Sequence, residues 1–313
     1  ADAAIMNPAQ KILALRNKTG PVTKIQLFNL DTRAKVNSHD MNEDVVFWKW
    51  TSPGNLGMVT ATSVYHWSLE GGGPPVKVFD RHATIGASTQ IISYKVSPDG
   101  KWCLLGGIST GGPGIVNGNM QLFNTERKVS QPLQGHAGAF VTLNLPGRSD
   151  PAQVFMFHEK KAGNPADPPK LHIREIGRDP SKGTPFTLPP TQIPIPAEAA
   201  ADFPVNLCVS GKDAIAYMTT KSGYVYMFDV HTGKTVYRAK VTNETIFLTC
   251  PSETAGGVFG ITVRTGKVLR FQLNQQQIVP YIMNTLRDPD LAIKLAGRLN
   301  LPGAEQLMAA QFE

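Results

Sequence analysis

A six-residue phrase that recurs along the chain constrains the fold more than any other feature. It reads apolar–any–apolar or polar–bulky–polar–apolar, with Thr125 in place of the last apolar residue in the third copy. The copies occupy residues 25–30, 64–69, 120–125, 171–176, 225–230 and 268–273. Successive copies lie roughly 40–55 residues apart, the period expected of β-propeller blades. The phrase therefore predicts an all-β fold, a β-propeller with about six blades present.

The apolar residues of the phrase fall on both faces of a strand. In the first copy Ile25 and Leu27 point to one side and Phe28 and Leu30 to the other, because side chains alternate across a strand. A sheet with one solvent-exposed face would show a cleaner alternation of apolar and polar residues. We therefore expect each sheet to be stacked between neighbouring sheets.

Gly-Lys pairs mark the turns expected between strands, because glycine adopts a positive φ without steric cost. The pairs lie at 100–101, 211–212, 233–234 and 266–267. The third pair belongs to a TGKT string that superficially resembles a phosphate-binding loop. The first glycine of such a loop would have to stand at position 228, which is Phe228, so the string is interpreted as a hairpin.

The pattern becomes helical beyond Tyr281. Asp288 is a capping residue, and Pro289 suits the first helical position. The leucines that recur behind them at helical spacing are Leu291, Leu295 and Leu299. A break at 301–303 separates this helix from a second one at 304–312, so a short α-helical hairpin is expected to begin an α-solenoid. We predict a propeller over 1–283 and the start of a helical linker over 284–313.

Length and composition are those of an ordinary folded chain. It has 313 residues, of which 41% are hydrophobic and 18% are charged, and it has no apolar run near the roughly 20 residues that span a bilayer. Residues 1–4 include neither an initiator methionine nor a signal-peptide pattern, so we expect a fragment of a longer protein. Cys103, Cys208 and Cys250 form no C-x-x-C pair, which favours buried, reduced thiols in the cytosol.

The net charge of +7 suits an acidic partner, but the basic residues are scattered. The chain has no run of five or more lysines and arginines, so a nucleic-acid partner is disfavoured. Short acidic peptides fit the charge equally well, because they need only two or three well-placed cations.

The sequence contains no recognisable catalytic constellation. His39 and Asp40 lie beside Glu43 and Asp44, but at a spacing that fits no familiar metal motif, and His82 is expected to hydrogen-bond a turn. The chain lacks H-E-x-x-H and Walker strings. The four tryptophans are expected mostly in the core. We therefore expect no catalytic residues, no metal and no cofactor, although a propeller enzyme assembled from distant residues stays an alternative.

Several longer strings resemble the amino-terminal domain of the clathrin heavy chain. They are AIMNP at 4–8, VFWKW at 46–50, VYHWS at 64–68, VKVFDRH at 76–82, RKVSQP at 127–132 and DFPV at 202–205. Residues 284–312, with LPGAE at 301–305, resemble the start of that family's helical linker. The resemblance implies a seven-bladed propeller that recruits adaptors to coated membranes. It also implies that this chain begins after the family's first blade, which is then absent.

The resemblance implies a groove for L-φ-x-φ-[DE] peptides, the clathrin-box site, whose second-blade side is present here. The residues that match it by position are Leu13, Lys24, Gln26, Phe28, Arg33 and Lys35. The apolar side chains can form a floor, the amide can bond the peptide backbone, and the cations can meet the peptide's acid. Lysine at position 24 replaces the family's usual threonine. The alternative is that Phe28 belongs to the core and the cations to a solvated edge.

Two further peptide sites are implied by the same resemblance. A W-box site would use Gln90, Ile92, Ile108 and Gln131, and a site for an arrestin loop would use Trp102, Leu122, Arg127 and Val129. The expected partners are endocytic adaptors, with clathrin light chain and other heavy chains bound through regions outside this chain. We expect a cytoplasmic protein on coated pits and vesicles that contacts the membrane only indirectly and binds no nucleic acid. A propeller scaffold for an unrelated complex is the alternative function.

Overall fold

The computed structural model describes residues 1–20, 22–112, 114–161, 167–252, 254–302 and 304. These residues form six antiparallel sheets, five with four strands and one with three. Within every sheet the strands follow one another in chain order. The all-β class predicted from the phrase is therefore confirmed.

The first three sheets belong mainly to one compact unit, residues 1–110 and 117–133. The first sheet contains β1 (Ala3–Met6), β2 (Ile12–Thr19), β3 (Val22–Asn29) and β4 (Ala34–Met41). The second contains β5 (Phe47–Ser52), β6 (Asn55–Val59), β7 (Ser63–Ser68) and β8 (Val76–Asp80). The third contains β9 (Gln90–Val96), β10 (Trp102–Gly112), β11 (Ile115–Asn124) and β12 (Val129–Gln134).

The second compact unit contains 111–116 and the residues from 134 onward. Its first sheet, the fourth of the chain, contains β13 (Gly138–Leu143), β14 (Ala152–Glu159), β15 (Lys170–Glu175) and β16 (Thr191–Gln192). The fifth contains β17 (Pro204–Ser210), β18 (Ile215–Thr220), β19 (Tyr224–Asp229) and β20 (Thr235–Lys240). The sixth contains β21 (Ile246–Pro251), β22 (Val258–Thr262) and β23 (Val268–Phe271).

Helical structure follows the sixth sheet. A short α1 (Ile278–Tyr281) continues into a π-helical turn (Ile282–Leu286), and α2 (Pro289–Leu299) follows. The Asp288 side chain accepts a hydrogen bond from the Leu291 amide at 3.1 Å, so the predicted cap is confirmed. The division at 283/284 stays a prediction, and the helical stretch that contains residue 284 begins at Ile278. The second predicted helix, at 304–312, lies outside the described residues apart from Ala304.

The six copies of the phrase all fall on the third strand of a sheet, or run one or two residues beyond it. The strands concerned are β3, β7, β11, β15, β19 and β23. A single sequence pattern thus marks the same structural position six times, which is the behaviour of a repeated supersecondary unit.

In four of the six copies the fifth, polar position of the phrase caps the turn that follows the third strand. The side-chain oxygens of Asn29, Ser68, Asn124 and Asp229 accept hydrogen bonds from backbone amides two or three residues further on, at 2.7–3.1 Å. Short polar side chains favour this arrangement because they mimic a backbone turn. The phrase therefore encodes both a buried strand and the start of its hairpin.

Apolar side chains pack between neighbouring sheets within each unit. The second sheet buries Trp67 in a cluster with Ile25 of the first sheet. It also stacks Phe79 on Phe123 of the third sheet, with ring centroids 4.6 Å apart. In the second unit one cluster joins the fourth and fifth sheets, and another joins the fifth and sixth sheets to the helices. The predicted packing on both faces is therefore observed for the second and fifth sheets. In the first sheet one face is buried, whereas Phe28 is half-buried and Leu30 is exposed on the other.

Two local predictions were wrong. Gly211 does not have a positive φ, unlike Gly100, Gly233 and Gly266, because Ala214 adopts the left-handed conformation in that turn instead. Cys250 is exposed rather than buried, because it lies on an outward-facing side of the sixth sheet. None of the three cysteines is in a disulfide, and the other two are buried as predicted.

Candidate functional site

Five of the six residues predicted for the clathrin-box site lie on one face of the first sheet. Leu13 on β2 pairs with Phe28 on β3, which pairs in turn with Lys35 on β4. Lys24 and Gln26 lie four and two positions before Phe28 on β3, so they share its face. The three strands thus assemble a continuous row from residues that are up to 22 positions apart in the chain.

The opposite face of β3 belongs to the core, which fixes the direction of this row. Ile25 and Leu27 are 0% and 1% exposed, whereas Gln26 and Phe28 are half-buried. Alternation along the strand therefore holds the phenyl ring and the amide on the accessible side. Phe28 is half-buried rather than part of the buried core, and Arg33 and Lys35 are exposed, so the alternative of a solvated edge for the two cations stays open.

A bulge in β4 aligns the cation with the aromatic ring. The register of β3 with β4 shifts between Leu27 and Phe28, so Val36 has no partner on β3 and Lys35 stands opposite Phe28. Arg33, in the turn before β4, is exposed and has a left-handed backbone with φ 52°. Within the described part of the chain neither Arg33 nor Lys35 takes part in an ion pair.

Lys24 and Gln26, the other polar residues of this face, differ in whether their side chains already have a partner. Lys24 pairs with Asp40 at 3.4 Å, so its charge is partly compensated. The Gln26 side chain makes no hydrogen bond to any described residue, and it is therefore able to donate and accept. Leu15 stands opposite Gln26 on β2 and is half-buried, which extends the apolar strip begun by Leu13. Sequence reasoning missed Leu15, although the alternation of Leu13 and Leu15 was visible.

The four residues predicted for the W-box site are only partly brought together. Gln90 on β9 pairs with Ile108 on β10, and Ile92 lies at the adjacent bulge. Gln131 is on β12, at the opposite edge of the sheet, with β10 and β11 between it and β9. Ile92 is 8% exposed, so little of its side chain is accessible.

The four residues predicted for the arrestin-loop site cluster near one end of the third sheet. Trp102 begins β10, and Val129 begins β12 after the turn that contains Arg127. The amide of Arg127 donates to the Asn124 side chain at 2.7 Å, so the phrase's polar cap shapes this turn. Val129 is 60% exposed and Arg127 is exposed, whereas Leu122 is only 5% exposed and belongs to the buried core.

The described residues contain no cluster of three or more histidine, cysteine or acidic side chains arranged to hold a metal ion. His82 instead accepts a hydrogen bond from the Thr84 amide through Nδ1 at 3.2 Å, which confirms its predicted turn-capping role. No helix among the described residues has the length and apolar character that crossing a membrane requires.

Solved structures with little sequence similarity share this fold. A Kluyveromyces lactis protein, Hsv2, matches 88% of this chain and 75% of its own with a TM-score of 0.50 and 10% identity. The β-propeller domain of Cps50 (Swd1) from Myceliophteria thermophila matches 87% of this chain and 95% of its own with a TM-score of 0.50 and 11% identity. Together with the six repeated sheets, these likenesses place the chain in the class of β-propellers followed by a short helical segment.

Sequence comparison then identifies the family. Over the whole chain the identity is 44% to a probable clathrin heavy chain of Caenorhabditis elegans, 44% to the clathrin heavy chain of Drosophila melanogaster and 40% to clathrin heavy chain 2 of Homo sapiens. Residues 276–298, which include α1 and most of α2, match the family described as "Clathrin, heavy-chain linker". The chain is a relative of the clathrin heavy chains. It spans 18% of the length of each of these relatives.

Proposed function

We propose that this chain is a non-enzymatic propeller of a clathrin coat that binds adaptors and cargo through short linear motifs. The observation that carries the proposal is the row of Leu13, Phe28 and Lys35 across three strands, with Gln26 beside it. An apolar strip, an unoccupied amide and cations without ion pairs match the parts of an L-φ-x-φ-[DE] peptide. In this assignment the apolar residues of the motif cover Leu13, Phe28 and Leu15.

The terminal acid of the motif would reach Lys35, with Arg33 close by in the preceding turn. A charge-assisted hydrogen bond to a carboxylate is about twice as strong as a neutral one. The Gln26 side chain would bond the backbone of the extended peptide. Each motif binds weakly in this arrangement, and many motifs held at once in an assembled coat would supply the strength by avidity.

The same proposal extends to location and partners. Endocytic adaptors are the proposed ligands of this face, on the cytosolic side of coated pits and vesicles. Clathrin light chain and other heavy chains would bind through parts of the protein outside these residues. Of the two further predicted sites, the arrestin-loop set is the better supported, because an exposed cation and an exposed apolar residue lie beside one turn. The W-box set has less support, since Gln131 lies across the sheet from the other three.

A peptide titration tests the proposal. The intact chain is titrated with a fluorescent L-φ-x-φ-[DE] peptide, alongside Gln26→Ala, Lys35→Glu and Phe28→Ala. We expect each variant to weaken binding by about 1–2 kcal/mol, or roughly five- to thirtyfold, from loss of one hydrogen bond, one charged contact or one apolar surface. Lys182→Glu, an exposed lysine of the second unit, makes the same charge change at a distance and should leave the affinity unchanged. Equal affinity in all the variants would rule out this site.

A further inference from the structure

The second unit contains a polar cavity that none of the three predicted peptide sites includes. Its volume is about 600 Å³, within the usual range for ligand-binding pockets. Five segments line it, at 114–116, 198–203, 221–222, 240–245 and 263–264. Six charged side chains line it, namely Glu198, Asp202, Lys221, Lys240, Glu244 and Arg264.

Two of the carboxylates are committed to holding turns of the cavity wall. Glu244 accepts hydrogen bonds from the amides of Arg264 and Thr265, both at 3.0 Å. Burial alone would raise the pKa of the Glu244 carboxyl, but these bonds outweigh it and hold the pKa below its usual value. Asp202 accepts from the Ser222 amide at 2.9 Å, which ties the connection before β17 to the β18–β19 turn.

The third carboxylate is held by an aromatic hydroxyl. Tyr224 donates to Glu198 at 3.1 Å. A backbone hydrogen bond at Glu198 and the bond from Tyr224 lower the pKa of the Glu198 carboxyl, so it carries a negative charge at neutral pH. All three acids therefore have structural partners on the protein.

Two cations of the cavity, unlike its carboxylates, lie over aromatic rings. Lys221 lies over the ring of Phe203, 5.4 Å from its centroid, and Lys240 lies 5.9 Å from the centroid of Tyr224. Neither of these lysines, nor Arg264, forms an ion pair within 4.0 Å of any described carboxylate, and all three are exposed. Lys240 is attracted to Glu198 over a longer distance, and this attraction contributes to lowering the pKa of the Glu198 carboxyl. The aromatic faces hold the ammonium groups in place without neutralising them. The cavity thus presents positioned cations that are open to a ligand.

We propose that this cavity binds a short acidic peptide, distinct from the motif bound on the first sheet. The ligand's carboxylates would pair with Lys221 and Lys240, with Arg264 available at the other side. A peptide is favoured over a phosphate because the wall also carries acidic oxygens. Those oxygens accept the N–H groups of a peptide backbone, whereas a phosphoryl group at neutral pH brings mainly acceptors and further negative charge.

A buried aromatic residue of the lining supports the same choice. Phe203, which carries Lys221 above it, is 8% exposed and packs against His136 with ring centroids 5.2 Å apart. This part of the lining is therefore apolar, and it suits the aliphatic parts of acidic side chains. The contacts to the three cations are charged, so binding should weaken as salt rises.

The test uses a fluorescein-labelled hexapeptide, Gly-Asp-Glu-Asp-Glu-Gly, titrated against the intact chain by fluorescence anisotropy. The uncharged analogue Gly-Asn-Gln-Asn-Gln-Gly serves as the matched ligand. We expect binding of the acidic peptide only, and a roughly tenfold loss of affinity in the double variant Lys221→Gln/Lys240→Gln from two lost charged contacts. Thermal unfolding should be nearly unchanged in that variant, because both side chains are exposed.

The control variant makes the same charge change outside the cavity, at Lys212→Gln/Arg270→Gln. Arg270 also lies over an aromatic ring, that of Phe259, at 5.8 Å. This control and Lys35→Glu on the first sheet should both keep the full affinity, which separates this site from the proposed adaptor site. An equal loss of affinity in both double variants would show that binding depends only on the net charge of the chain, and it would overturn the proposal. Displacement by micromolar inositol hexakisphosphate with no preference for the peptide would also overturn it.

Discussion

Replacing Gly57 by alanine should destabilise the protein through steric clashes with two identified neighbours. Gly57 lies on β6 of the second sheet and faces the third sheet. A Cβ atom at this position would stand 2.9 Å from ring carbons of Tyr94 and 2.8 Å from the Thr51 methyl group. Real Cβ atoms do not approach other heavy atoms so closely, so one of the neighbours must move.

Tyr94 has little freedom to yield. Its side chain is 1% exposed, and its hydroxyl lies 2.7 Å from Nε2 of His66. Overpacking of a core usually costs about 1–3 kcal/mol, and alanine recovers about 0.5–1 kcal/mol because it restricts the unfolded chain. We therefore expect Gly57→Ala to lower the free energy of unfolding by about 1–2 kcal/mol. Urea denaturation monitored by tryptophan fluorescence measures this loss as a shift in midpoint at constant slope.

Gly54→Ala provides the matched control, because its Cβ would meet no atom within 4 Å. That variant should stay within about 0.5 kcal/mol of the parent chain. The double variant Gly57→Ala/Tyr94→Leu should lose less than the sum of its single changes, since the smaller side chain removes the clash with the ring and leaves only that with Thr51. If Gly57→Ala matches Gly54→Ala, or if the double variant is strictly additive, the argument from sheet spacing is refuted.

Two further predictions concern buried ionisable groups. Burial lowers the pKa of His66 from 6.5 to about 4, so its stabilising contribution is complete above pH 6.5 and is lost as the pH falls toward 4. Between pH 7.5 and 5 the parent chain should lose about 2 kcal/mol more than His66→Gln in urea unfolding, and parallel losses would contradict this. Glu175→Gln should cost about 3 kcal/mol, because Arg148 and Arg178, at 2.6 and 3.0 Å, lose a buried carboxylate. The exposed Glu126→Gln should cost less than about 0.5 kcal/mol in the same thermal or urea assay, and equal costs would contradict the burial argument.

The sequence predicted the third strand of every sheet because that strand carries the most regular pattern. The fourth strands were less visible, since β12 (Val129–Gln134) is largely exposed and contains Pro132. Their position is set by pairing with the third strand, which a local pattern does not encode. The helical stretch from Ile278 was also missed, because its first turn has no capping side chain.

The predicted peptide face illustrates what a resemblance adds to periodicity. Alternation alone places Gln26 and Phe28 on the same side of β3, but it does not say that Lys35 stands opposite Phe28. That alignment depends on a bulge in β4, and no glycine or other turn residue in the sequence predicts the bulge. The cavity of the second unit is still harder to predict from the sequence. Its cations come from separate segments and form no motif; they are Lys221, Lys240 and Arg264.

The chain-order arrangement of strands within each sheet has a kinetic consequence. Most hairpins close between strands only a few residues apart, so forming a sheet requires little loop-closure entropy. Such local pairing favours rapid formation of individual sheets, and the slower step is then their stacking. A mutation in one polar cap, such as that of Asn124, should therefore slow the formation of its own sheet and leave the early folding of the others unchanged.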